Sequence, residues 1–216
     1  MRRSAYHVLL AVPTRGDVGW QTITRLEEER DSVAALRPIL WQAGPSNAAL
    51  TRNKVVKAFL ETDCSVLVMV DDDVVPPPGF IERLDEGLTL GYSMSGIPHP
   101  MPVPGNPGAL ELGAFAEAEG GGYTGADLEE GWNDVDAVAT GCFAVTREAI
   151  EEIGRAPFRY PADPDAQVIG EDFLFCADLR ARGRRIGCWH DGWFCDHVRT
   201  ANLAPILERQ KMRSFA

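Results

Sequence analysis

The chain has 216 residues, a length that suits one α/β domain, and its 45% hydrophobic and 25% charged residues are the ordinary balance of a globular protein. Its formal net charge is −11, and because an acidic chain repels phosphate backbones, duplex nucleic acid is not an expected partner. No apolar run approaches the roughly 18 residues that cross a membrane. The five cysteines are odd in number and scattered, and the N-terminus lacks a signal-peptide cleavage site, so a cytoplasmic location is expected.

Three short apolar runs in the first third of the chain predict buried parallel strands, at residues 8–12, 38–41 and 65–70. Helices are predicted between them, one over residues 20–35 and one that begins at a Ser46 or Asn47 cap. This order predicts an α/β fold with a mostly parallel, twisted sheet flanked by helices. Ligands of such sheets bind beyond the carboxyl ends of the strands.

The second part of the chain predicts a helix from about Gly79 and a strand over residues 92–97. Residues 98–131 are rich in proline and glycine and show little periodicity, which predicts a loop that is either disordered or functional. A strand pair or bent strand is then expected over 135–145, followed by a helix through Ile153. A last helix over 171–182 and a last strand over 185–189 complete the prediction.

Three consecutive aspartates, Asp71, Asp72 and Asp73, follow the third apolar run directly. Hard divalent cations prefer carboxylate oxygens, and in such sites the ion commonly also binds phosphate oxygens. The aspartates therefore indicate a Mg²⁺ or Mn²⁺ site at the end of a buried strand. The alternative is a polar turn that only caps the next helix.

The segment from Val68 to Pro76 resembles the Asp-x-Asp motif of GT-A fold glycosyltransferases and is most similar to that of family 2. The resemblance implies that Asp73 ligates the metal and that Asp71 contacts the donor ribose or the metal and its water shell. It places Asp72 in the donor site as the intervening residue.

Further segments resemble the same family in the expected order along the chain. Residues at the end of the first strand would hold the nucleotide: Pro13, Thr14 and Arg15. Arg52 and Asn53 would approach the donor, although they could instead form the exposed face of a helix. Thr140 and Gly141 resemble the stretch that lines the sugar and acceptor site.

Two late segments complete the resemblance. Glu171 and Asp172 are similar to the Glu-Asp element of inverting members, in which the aspartate takes the acceptor proton, although acids in a first helical turn are often only caps. His197 lies where such enzymes bring a histidine to the metal; an ordinary packed histidine is the alternative. Residues of a competing structural zinc site would be Cys188, His190, Cys195 and His197.

Together these residues predict a metal-dependent glycosyltransferase that moves a sugar from a nucleotide-diphosphate donor, with UDP favoured, to an acceptor hydroxyl with inversion. The acceptor is expected to be a saccharide, a protein or a small molecule, and a homo-oligomer is possible. No processive-synthase motif is present, which favours single transfer. The Pro/Gly-rich segment 98–131 is the candidate for acceptor recognition or a lid.

Three other function classes stay open. A nucleotidyltransferase would more typically carry a glycine-rich loop with a basic residue after the first strand, where Gly16 and Arg15 stand alone. A non-catalytic nucleotide-sugar-binding module would bind without turnover. A metal-dependent hydrolase would generally have more histidines than the four present here. Two of these, His7 and His99, lie in unpromising sequence contexts.

Overall fold

The computed structural model describes residues 7–14, 16, 18–30, 36–44, 47–103, 106–162, 170–192 and 194–198. Five helices lie in these ranges: α1 (Trp20–Arg30), α2 (Ala48–Leu60), α3 (Phe80–Thr89), α4 (Arg147–Ile153) and α5 (Glu171–Arg180). The strands of the main sheet are β1 (Val8–Thr14), β2 (Leu36–Ala43), β3 (Val66–Val70), β5 (Met94–Gly96), β10 (Gly131–Val135), β12 (Cys142–Thr146) and β13 (Ile186–His190). The smaller strands are β4 (Val74–Val75), β6 (Pro100–Val103), β7 (Asn106–Leu112), β8 (Ala114–Glu117), β9 (Tyr123–Gly125), β11 (Ala137–Val138) and β14 (Asp196–His197).

The main sheet has seven strands in the order β10-β13-β5-β12-β3-β1-β2. Strands β2, β1 and β3 pair in parallel, as the three apolar runs predict, and β5 and β13 also pair in parallel. β12 runs antiparallel between β3 and β5, and β10 runs antiparallel at the edge. The predicted mixed α/β architecture with a mostly parallel sheet is confirmed.

Helices cover both faces of the sheet. On one face, Phe59 of α2, Ile150 of α4 and Phe175 of α5 are fully buried in one core cluster. On the other face, Leu26 of α1 and Leu84 of α3 belong to a second cluster. All five residues of β3 are buried because this strand is covered on both sides, which explains its unbroken apolar sequence.

Local signals explain where the helices begin. Asn47 caps α2, with its Oδ1 accepting a hydrogen bond from the Leu50 N–H at 3.0 Å, as the sequence predicts. Gly79 precedes α3 in the left-handed region, at φ 75°, where glycine is favoured. The longest described helix, α2, has 13 residues, and none in the described ranges is both long and apolar enough to span a bilayer.

Residues 98–131 differ from the predicted loop, because they contain short antiparallel strands. β6 and β7 form one hairpin, while β8 pairs with β9 and also with the later strand β11. The β8–β9 hairpin turns through Gly120–Gly122, all at positive φ. Prolines and glycines mask the period-two pattern of these strands, and the pairing of β8 with β11 joins segments that are not adjacent in the sequence.

Two shorter corrections concern the last third of the chain. The expected strand pair or bent strand over 135–145 is two separate strands, β11 and β12, that belong to different sheets. β13 is not the last strand, because β14 follows it and pairs antiparallel with β4. A two-residue strand has no sequence signature of its own. Its pairing brings the chain back beside the aspartates.

Candidate functional site

The aspartate loop, residues 71–73, follows β3 at its carboxyl end and is held by backbone hydrogen bonds from three distant parts of the chain. The N–H of the first aspartate donates to Gly141 O at 2.9 Å. The carbonyl of the second accepts from the Gly19 N–H at 2.9 Å, and that of the third accepts from the Val198 N–H at 2.8 Å. The loop is therefore fixed by tertiary contacts as well as by the strand before it.

Arg52 ties the loop to two other elements. Its side chain reaches from α2, is only 6% exposed, and places Nη2 2.8 Å from both carboxylate oxygens of Asp71. Its Nη1 donates to Glu171 at the start of α5, and Nη2 also lies 3.4 Å from the Thr140 carbonyl. One guanidinium thus joins four segments that the sequence predicts to be part of the site.

The charges of this cluster are coupled. Burial raises the pKa of Asp71 to about 6; Arg52 opposes the rise, and Asp73 and Asp72 add to it. Burial by itself would lower the pKa of Arg52, but the surrounding carboxylates outweigh it and raise that pKa. Arg52 therefore stays charged and balances two carboxylates in a largely water-excluded place.

Asp73 points away from this cluster, toward His197. His197 Nε2 lies 3.3 Å from Asp73 Oδ2, and Nδ1 lies 3.3 Å from the Pro100 carbonyl oxygen. Because a carbonyl can only accept, Nδ1 carries the hydrogen, and Nε2 of the neutral ring offers a lone pair beside a carboxylate oxygen. In that neutral form the two atoms could bind one cation, whereas in the protonated form they make an ion pair.

The donor set fits a divalent metal bound jointly with a substrate. Carboxylate and imidazole are both ligands of such ions, and Mg²⁺-type sites often use one or two protein groups and complete the shell with phosphates and water. Within the described residues, no group of three or more His, Cys, Asp or Glu side chains is arranged to hold a metal alone. The same observation leaves the alternative zinc set, Cys188, His190, Cys195 and His197, without a cluster.

The cysteines of that zinc set are packed as core residues. All five cysteines of the chain are free and buried, and burial raises the pKa of the Cys188 and Cys195 thiols. Cys195 Sγ lies 3.7 Å from the Ile97 carbonyl oxygen.

His99 is the residue that sequence reasoning missed. Its ring packs against His197 with centroids 4.8 Å apart in an edge arrangement, and it is 6% exposed. A Cβ at Gly141 would lie 2.5 Å from His99 Cε1, so the ring fits only because residue 141 is glycine. No sequence signal marks this contact, since 42 and 98 positions separate His99 from these two partners.

Asp172 lies in the first turn of α5, next to the Arg52 cluster. The Phe173 N–H donates to its Oδ1 at 2.9 Å, so the carboxylate partly caps the helix. Burial and the neighbouring Glu171 charge raise the pKa of Asp172, and Arg52 lowers it. A carboxylate whose pKa is raised is a stronger base than an exposed aspartate, as proton abstraction requires.

The remaining predicted residues take different positions. Pro13 and Thr14 end β1 and are buried, with the Thr14 carbonyl accepting from the Gly44 N–H at 3.0 Å. Asn53 exchanges two hydrogen bonds with the Phe158 backbone, at 2.7 and 3.0 Å, so its amide holds the loop after α4. Its contact with a donor stays a prediction. Arg15 lies outside the described residues.

No family model and no curated protein matches the sequence. Solved structures do match. A197 from STIV aligns with a TM-score of 0.63 and 18% identity, over 89% of this chain and 86% of that one. GalNAc-T7, solved with UDP, GalNAc and Mn²⁺, aligns with a TM-score of 0.54 and 14% identity, over 85% of this chain and 42% of the larger protein.

A third solved structure has a different activity in its name. It is CMP:2-keto-3-deoxy-manno-octonic acid synthetase with CTP, and it aligns with a TM-score of 0.53 and 10% identity, over 96% of this chain and 98% of that one. At these identities the likeness concerns the fold alone. The chain has the mixed α/β, GT-A-like fold of the transferase and the synthetase.

Proposed function

We propose that this protein is a metal-dependent glycosyltransferase that moves a sugar from a nucleotide-diphosphate donor, UDP in the first instance, to an acceptor hydroxyl with inversion. One observation carries the proposal. Arg52 pairs with Asp71 and with Glu171. Close to these two carboxylates in the chain are Asp73, which faces His197 in a pair that could hold a metal, and Asp172, a carboxylate with a raised pKa.

The donor half of the proposed site lies at the carboxyl ends of β1 and β3. Asp73 and His197 would hold Mn²⁺ or Mg²⁺, which when bound neutralises the charge of the donor diphosphate. The end of β1, with Pro13, Thr14 and the following Arg15, would meet the base and ribose. Asp71, held by Arg52, and the adjacent Asp72 would complete the donor contacts.

The group proposed to accept the proton lies at the start of α5. As the acceptor oxygen attacks the anomeric carbon, its proton passes to the Asp172 carboxylate, the bond from that carbon to the diphosphate oxygen breaks, and the nucleoside diphosphate leaves. Glu171 is paired with Arg52 and is assigned a positioning role rather than proton transfer. Thr140 and Gly141, next to Arg52 and Asp71, would line the sugar.

Nucleotidyl transfer is the second candidate, because one of the similar structures is a synthetase that was solved with CTP. In that reaction a sugar oxygen attacks the α-phosphorus of a nucleoside triphosphate, and pyrophosphate leaves. The two functions therefore differ in the group released. A glycosyltransferase releases a nucleoside diphosphate from a nucleotide sugar.

In the deciding experiment, the protein is incubated with UDP-sugars or GDP-sugars in one arm and with nucleoside triphosphates and free sugars in the other. Each arm contains Mn²⁺, Mg²⁺ or EDTA. We expect metal-dependent release of a nucleoside diphosphate and no pyrophosphate. Asp172→Asn should lower the rate by about 10²- to 10⁴-fold while nucleotide binding is kept. Asp178→Asn, on the same helix but paired with Arg159 away from the site, is the matched control.

Pyrophosphate release from a triphosphate would replace the proposal with nucleotidyl transfer. Metal-dependent nucleotide binding without any turnover would identify a binding module instead.

A further inference from the structure

A cavity of about 370 Å³ lies between the start of α3 and the end of β13, outside the site described above. Its apolar lining includes Phe80 and Ile97, which are fully buried, and Pro77. Glu82, Arg83, Glu86 and Asp191 supply its polar groups, and Trp189 supplies an aromatic ring. The volume lies within the roughly 300–1,000 Å³ of small-ligand sites, which combine an apolar lining with a few placed polar groups.

Arg83, the cation of the cavity wall, is held by contacts with two neighbouring side chains. The Arg83 guanidinium lies over the Trp189 ring, 4.0 Å from its centroid, and donates to Glu86. Trp189 packs in turn against Trp132, with centroids 5.6 Å apart. Trp132 is seated on α3, where a Cβ at Gly87 would approach it to 2.4 Å. A planar donor fixed in this way loses little conformational freedom when it binds.

The cavity lies at the same edge of the sheet as the aspartate loop. Ile97 directly follows β5, and Trp189 is near the carboxyl end of its parallel neighbour β13. Pro77 comes four residues after Asp73, and Asp191 comes six residues before His197. Pairing of β4 with β14 joins these two stretches of chain. The cavity and the proposed metal pair therefore lie at the same edge of the sheet.

The charges of the lining select the class of ligand. Three carboxylates face one guanidinium, so a phosphate, a nucleotide or an acidic sugar meets net repulsion. A sugar hydroxyl both donates and accepts hydrogen bonds, which matches a wall where Arg83 stands among Glu82, Glu86 and Asp191. The apolar lining suits the C–H face of a pyranose ring.

We propose that this cavity is a binding subsite for a neutral or amino-bearing saccharide and that it holds the acceptor of the proposed transfer. The acceptor assignment rests on the proposed function, whereas saccharide binding does not.

The test separates these two statements. Methyl glycosides of glucose, galactose, mannose, glucosamine, N-acetylglucosamine and glucuronic acid are titrated against the full chain in EDTA without nucleotide, and binding is followed by saturation-transfer NMR. At least one neutral or amino sugar should bind, and the glucuronide should bind more weakly. Failure of donor binding in a separate nucleotide titration would leave this result unaffected.

Variants locate the bound sugar. Arg83→Lys keeps the charge but loses the planar stack, and Asp191→Asn removes one carboxylate; each should weaken binding by about tenfold. Arg30→Lys, in an exposed pair with Glu27 three residues away on α1, matches the Arg83–Glu86 pair and should change nothing. In the transfer reaction, Arg83→Lys should raise the acceptor KM and leave the donor KM unchanged.

Three results would overturn the proposal: no neutral or amino sugar binds, the glucuronide binds best, or binding is unchanged in both cavity variants. A change in the donor KM in place of the acceptor KM would overturn the acceptor assignment.

Discussion

Asp71 and Asp73, at the two ends of the aspartate loop, have different partners for their charged side chains. Asp71 has its counter-charge inside the protein, since both of its oxygens lie 2.8 Å from Arg52 Nη2. Asp73, two residues later, faces the Nε2 atom of His197 at 3.3 Å, where both atoms are acceptors when the ring is neutral. The Asp71 carboxylate has its counter-charge in the folded chain, whereas Asp73 and His197 would gain from the proposed cation. Adjacent acidic residues of one motif can therefore serve stability and ligand binding separately.

The largest expected effect comes from removing the counter-charge of Asp71. Arg52→Met leaves Asp71 and Glu171 without their partner, and an uncompensated buried charge costs about 3–5 kcal/mol of unfolding free energy. Urea denaturation measures the loss. Arg180→Met, which removes more exposed pairs with Glu117 and Asp136, should cost less than about 1 kcal/mol. Equal losses in the two variants would show that the Arg52 cluster is not a buried network.

The next effect concerns the pair formed by Asp73 and His197. Asp73→Asn or His197→Gln should cost no more than about 1 kcal/mol of unfolding free energy in EDTA, because their pair is long, at 3.3 Å, and the Asp73 side chain is 28% exposed. In wild type, Mn²⁺ with UDP at about 100 times its dissociation constant should add about 2.7 kcal/mol, and both variants should lose that gain. Thermal unfolding with and without metal measures it. Asp127→Asn, at an exposed position, is the control. A metal-dependent gain that survives in both variants would place the cation elsewhere.

A smaller effect tests how packing holds the His197 ring in place. Gly141→Ala would bring a Cβ within 2.5 Å of His99, and overpacking of this kind costs about 1–3 kcal/mol. Because His99 packs on His197, the metal-dependent gain in melting temperature should also shrink. Gly125→Ala, whose Cβ would meet only the flexible end of the Glu111 side chain at 3.1 Å, is the matched control. The double variant Gly141→Ala/His99→Ala should recover stability, and no recovery would assign the cost to another contact.

The smallest expected effect concerns the acidic pair at the start of α5 and is seen in the pH dependence. The neighbouring charge of Glu171 raises the pKa of Asp172, so Glu171→Gln should lower that pKa. Catalysis requires the ionised carboxylate, so the acid limb of the kcat/KM profile should move to lower pH in the variant. Steady-state kinetics over a pH series measure the limb. An acid limb that moves to higher pH would show that Glu171 acts mainly by holding Arg52 in place.

Much of the fold could be predicted because its signals are local. β1 and β3 are apolar runs whose residues are all buried, since both faces of their sheet are covered, and Asn47 marks the start of α2 by its own side chain. The antiparallel hairpins within 98–131 could not be predicted. Their strands carry proline and glycine, and each is stabilised by a partner rather than by its own pattern.

The sequence by itself determined the chemistry that the site can offer: three carboxylates at the end of a buried strand, an acidic pair at the start of α5, and a late histidine. Only the tertiary structure decided how these groups are divided. It joined Arg52 to Asp71 and Glu171, turned Asp73 toward His197, and placed His99 against that histidine. The physical reason is that residue types carry charge and ligand preference along the chain, whereas pairing and desolvation depend on distances between segments that only folding brings together.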